Sequence, residues 1–173
     1  TRGAGSNRWT DRTRLILLIC FGGGLIYSSL QLARWQPEVW PSFAIHLLGL
    51  ALSSSGFVLL GRPWAVRRAW FASATAISVA YALTALARAW DPTGEYATTA
   101  IMFVGAALTT ATVIPWGIWL QALTVGVGAA ALVASVYYVD GSLAALPSDA
   151  GVATFSGLAL SLVAAREITN YRL

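Results

Sequence analysis

Four stretches of this chain carry no charged side chain: residues 15–33, 39–61, 69–87 and 96–139, which are 19, 23, 19 and 44 residues long. About eighteen consecutive apolar residues suffice for a helix to cross the hydrocarbon of a bilayer. A soluble domain of 173 residues needs a charged shell. Here charged residues are 10% of the chain, against about 25% in soluble domains. The pattern predicts an all-α integral membrane bundle and excludes an ordinary soluble fold.

The longest interval fixes the count of spans. As one helix, its 44 residues would reach roughly 66 Å, about twice the hydrocarbon thickness. It must fold back, and Pro115, Trp116 and Gly117 are the strong breaker within it. Six transmembrane helices follow, at about 15–33, 39–61, 69–87, 96–114, 116–139 and 150–165. A short basic segment, 1–14, precedes them, and a helical exit, 166–173, follows without a glycine or proline stop. Short connections imply that neighbours in sequence pack as antiparallel neighbours in space.

An even number of spans puts both termini on one side, and the charges choose the side. One face collects nine of the eleven arginines with two acids, Asp11 and Glu167; the other has Arg34 and Arg88 with Glu38, Asp91, Glu95, Asp140 and Asp149. The split is +7 against −3, counted directly from those residues. By the positive-inside rule both termini are cytoplasmic. The sequence pI near 9.7 therefore reflects topology and contact with anionic lipid, not nucleic acid.

Eight tryptophans fall at or near span ends. Trp35, Trp40, Trp64, Trp70, Trp90, Trp116 and Trp119 are expected to anchor in the headgroup layer, where an indole keeps its ring apolar and its N–H wet. Small residues recur every four positions in three spans: Ala72, Ala76, Ala80 and Thr84; Ala122, Gly126, Ala130 and Ala134; Ala153, Gly157, Ser161 and Ala165. Such stripes let helix backbones approach closely in lipid, either inside one bundle or at an oligomer interface.

Chemistry is sparse. No Asp, Glu or Arg lies at the middle of a span, although intramembrane charges mark most catalytic and ion-conducting sites. His46 is the one histidine; it reads as a packed, neutral side chain, as a single ligand to a haem or chlorophyll-type pigment, or as a proton-linked group. Cys20 is the only cysteine, so no internal disulfide forms. Ser54-Ser55-Gly56 lies on the same span as His46, which rejects an intramembrane serine protease, because the two groups must converge from different helices. Gly126-Val127-Gly128 has no strand before it and is no dinucleotide loop. No metal-ligand cluster is present, and no enzyme is expected.

Ile114-Pro115-Trp116-Gly117-Ile118-Trp119-Leu120-Gln121-Ala122 resembles the turn between spans four and five in the six-helix N-terminal membrane domains of bacterial sensor kinases and nucleotide cyclases. The exit Ala165-Arg166-Glu167 is similar to the way their last helix leaves the bilayer. The resemblance implies an anchoring or sensory input domain, often dimeric, and carries over no catalytic residue. Two other classes fit the composition: an accessory subunit of a photosynthetic or respiratory complex, packed against other transmembrane subunits, and a small transporter or lipid-handling protein.

Overall fold

The structure, a computed structural model, describes residues 2–33, 40–59, 61–62, 68–90, 96–114 and 116–172. Of these, 90% are helical, and none is in a strand. The helices are α1 (Arg2–Ala33), α2 (Trp40–Leu59), α3 (Ala69–Ala89), α4 (Tyr96–Val113), α5 (Gly117–Asp140) and α6 (Asp149–Arg172). Five of them, α2 to α6, are long and apolar enough to cross a membrane. The ends of α2 and α3, the start of α4 and the end of α5 lie within a few residues of the ends of those charge-free intervals. α1 starts at Arg2 in the basic segment, and α6 runs on to Arg172.

The helix ends follow from local chemistry. Gly117 has φ 79°, a conformation that side-chain-bearing residues rarely adopt, and the Trp116 N–H donates to the Ile114 carbonyl at 2.9 Å. The chain thus reverses between α4 and α5 almost without a loop. Gly141, with φ 64°, closes α5 as its N–H donates to the Tyr137 carbonyl. Ser148 opens α6: its Oγ accepts from the Gly151 N–H at 3.2 Å, and Asp149 puts a negative charge in the first turn.

Successive helices all touch, as expected, but they are not all the closest neighbours. The closest pairs are α3 with α5, α4 with α6, and α1 with α2. Two of these three join parallel helices, not successive ones. Glycine is the reason. A methyl at Gly128 would stand 3.1 Å from the Tyr81 ring, and one at Gly157 would stand 2.7 Å from Val104. Those absences let α3 close on α5 and α4 on α6. Around the crossings sits the core: Tyr81 against Phe103 with ring centroids 4.8 Å apart, beside Ile77, Ile114 and Leu132. Leu, Ile, Phe and Val side chains cover the outside, as at Leu48, Phe57, Val58, Ile101 and Leu160. That exterior suits lipid, not water.

Candidate functional site

Three features stand out: an apolar cleft, a buried polar junction and an ion pair at one end of the bundle.

The cleft has a volume of about 770 Å³, within the range of ligand pockets. It lies on α3 and is walled by α1, α2 and α4. Its floor is the small-residue stripe of α3, for Ala72, Ala76, Ala80 and Thr84 all line it. Glycines thin the walls at Gly49, Gly56 and Gly105, and a methyl at Gly105 would meet nothing within 4 Å. The α2 helix packs on α1 and α3, whereas α4 packs chiefly on α6. Arg68 lines one end, at the start of α3, and His46 and Thr84 line the other. The exposed hydroxyls along α2 are already bonded: Ser54 and Ser55 donate to Leu50 and Ala51 carbonyls of their own helix at 2.8 Å.

The polar junction centres on Gln121, whose exposure is 0%. Its Oε1 accepts from the Trp116 Nε1–H at 2.8 Å. Its Nε2 donates to the Ala107 carbonyl at 2.9 Å and to Ser161 Oγ at 3.3 Å. Thr110 Oγ1, at 3.4 Å from the same amide, donates to the Ala107 carbonyl at 2.9 Å. One side chain therefore ties α5 to α4 and to α6. In a medium without water such a group must find every partner inside the protein.

At the other end, Arg88 turns inward from the last turn of α3, its side chain 3% exposed. Both Asp140 oxygens accept from its Nη2 at 3.2 Å, and Nη1 donates to the Ser135 carbonyl at 3.1 Å. The guanidinium also lies 5.9 Å from the Tyr96 ring centroid, within cation–π range. The Tyr96 hydroxyl reaches Thr154 Oγ1 at 3.5 Å. This end is thereby cross-linked through α3, α4, α5 and α6. Among the described residues, Arg88 Nε is a buried side-chain nitrogen without a hydrogen-bond partner.

His46 lines the cleft, and its Nδ1–H donates to the Ser42 carbonyl at 2.7 Å. That bond fixes the ring's tautomer. Among the described residues no group of three His, Cys, Asp or Glu side chains could hold a metal ion.

The residues singled out in the sequence fall on different faces. Ala72, Ala76 and Ala80 line the cleft, and Ala76 also packs against the buried pair Leu17 and Ala69. Gly126 and Ala130 face outward, as does Ala153, while Ala122 and Gly157 are half-buried and Ser161 is buried. Only part of each expected packing stripe is packed within the bundle. Trp40, Trp70, Trp90 and Trp119 are exposed at helix ends. Trp116 differs: it is 7% exposed, and its N–H is bonded inside the protein. Its indole is a core residue, because Gly117 turns it inward at the chain reversal. Trp35, Trp64 and Pro115 lie outside the described residues. Arg88 as a buried group was missed by sequence reasoning; Gln121, readable as a possible interhelical donor, is a hub. The signal for Gln121 was a lone amide in a long apolar run; for Arg88 nothing in the sequence separates an inward arginine from an interfacial one.

No protein-family model, curated protein or solved structure matches the chain.

Proposed function

We propose that this chain is a non-catalytic membrane module that anchors a cytoplasmic partner domain or passes a signal to it. In this reading α1 is the sixth span, both termini face the cytoplasm of a bacterium, and the module works as a homodimer or beside other transmembrane subunits. The observation that carries it is α6. This helix is unbroken over 24 residues, roughly 36 Å at 1.5 Å per residue, which exceeds the hydrocarbon thickness. Its apolar part is clamped at Ser161 by Gln121, and its far turns, with Arg166, Glu167 and Asn170, are exposed and polar. A rotation or shift in the bundle would therefore reach the exit turns through a rigid rod.

The test joins residue 173 in helical register to the catalytic domain of an adenylyl cyclase and inserts one to four alanines at the junction. Cyclase output is expected to rise and fall with the helical period of about 3.6 residues. Output indifferent to insertion length would sink the signalling reading. Topology is checked separately: a C-terminal fluorescent protein that folds only in the cytoplasm should glow, and a C-terminal alkaline phosphatase should be inactive.

A second reading, an accessory subunit of a larger membrane complex, rests on one observation. Gly126, Ala130 and Ala134 present a small-residue face to the outside of α5, the surface by which transmembrane helices pack closely. Under that reading His46 is the pigment or haem ligand, and His46→Leu should abolish visible absorbance in the purified complex.

A further inference from the structure

We infer that the cleft over α3 binds a single-chain anionic amphiphile, a long-chain carboxylate, with its head at Arg68 and its chain along the alanine floor. The inference goes beyond the proposed function and holds whatever α6 is attached to.

Shape comes first. Ala72, Ala76, Ala80 and Thr84 lie on one line of α3, and all four line the cleft. From Arg68 to Thr84 the helix rises roughly 24 Å, most of the ~30 Å hydrocarbon thickness. A line of methyls of that length matches an extended alkyl chain. A methyl on Gly105 touches nothing within 4 Å, so the wall at that level is open space.

Charge comes second, and it lies at one end. Arg68 lines the trough where α3 begins, is exposed, and forms no ion pair with any described carboxylate. Arg62 is exposed on the short link that leads to it. Among the described residues, Arg68 is the charged residue of the lining. An apolar trough with a cation at its mouth recognises an apolar chain with an anion at its end. A single floor stripe favours one chain over a two-chain phospholipid.

The test uses the purified chain in maltoside micelles and a diazirine-bearing palmitate, with crosslinked peptides mapped by mass spectrometry. Labelling is expected on α2, α3 and α4 and should be displaced by unlabelled palmitate. Gly105→Leu, which fills the open wall, should cut it at least ten-fold. Gly126→Leu, the same change on the outward face of α5, should leave it unaltered. Arg68→Gln should weaken palmitate labelling several-fold without changing labelling by a diazirine hexadecanol, which lacks the charge. Circular dichroism melting of each variant shows whether it has folded; were Gly105→Leu unfolded, Ala76→Leu replaces it. Labelling spread equally over α5, or indifferent to filling of the cleft, overturns the site. Equal uptake of acid and alcohol, both insensitive to Arg68→Gln, overturns the anionic head. Displacement by phosphatidylglycerol as efficient as by palmitate overturns the single chain. A wild-type chain that takes up neither probe, or one whose cleft crosslinks to a second copy, overturns the whole proposal.

Discussion

Gln121 shows what one amide does in a lipid-facing fold. It satisfies the Trp116 N–H, the Ala107 carbonyl and Ser161 at once, and water cannot replace it there. Gln121→Leu keeps the volume and removes every bond. It should lower stability by about 1–2 kcal/mol, near the upper end for interhelical hydrogen bonds in membranes. Thermal unfolding in detergent measures this, and an unchanged midpoint would show the junction to be incidental. Gly157 makes a complementary case. Gly157→Ala drives a methyl against Val104, a stiff β-branched neighbour on α4. It should destabilise the chain, and Val104→Ala should restore the loss; a double variant no better than the single one would refute the contact. At this scale the sequence told depth but not direction. Trp116 was legible as a residue near a span end. That it points inward depends on the φ of Gly117, and charge-free length carries no information about that angle.

Arg88 and Asp140 couple whole helices, α3 to α5, and the two partners are unequal. Arg88 is almost fully buried, while the Asp140 side chain is 33% exposed. Removing Asp140 strands a buried guanidinium; removing Arg88 leaves a carboxylate that water can still reach. Asp140→Ala should therefore cost about 2–3 kcal/mol, below the range for a fully buried pair because Asp140 is partly solvated. Arg88→Met should cost about 1 kcal/mol or less, and Arg88→Met/Asp140→Ala should recover most of the Asp140→Ala loss. Equal single losses in a denaturation series would contradict the asymmetry. Helix extents were largely readable from the charge-free intervals, since membrane thickness sets span length. Which helices pair was not. Loop lengths point to successive neighbours, but Gly128 under Tyr81 and Gly157 under Val104 draw together α3 with α5 and α4 with α6. A glycine's partner lies on another helix, beyond the reach of any local pattern.

Across the molecule, cohesion is uneven, and the weak side is the side with the cleft. In the most apolar window of α2 only 11% of residues are buried, against 33% for α3, α4 and α5. Its buried side chains are Ser42 and Ile45, both in its first two turns. The remaining turns of α2 lean on α1 and α3 across small residues, with the trough beneath. The two clamps, Gln121 and Arg88, bind α3 to α6 and leave α2 untouched. Local opening costs least where fewest apolar contacts are lost. Residues 47–58 should thus exchange their amide protons at least ten-fold sooner than residues 121–136 in the same micelle. Hydrogen exchange followed by mass spectrometry reads this peptide by peptide, and equal protection in α2 and α5 would remove the distinction. An occupant of the trough would touch α2 along its loosely held turns and α3 along a helix fixed to the rest of the bundle. Adding palmitate should slow exchange in α2 and leave α5 unchanged, because only the loosely packed helix has contacts left to gain.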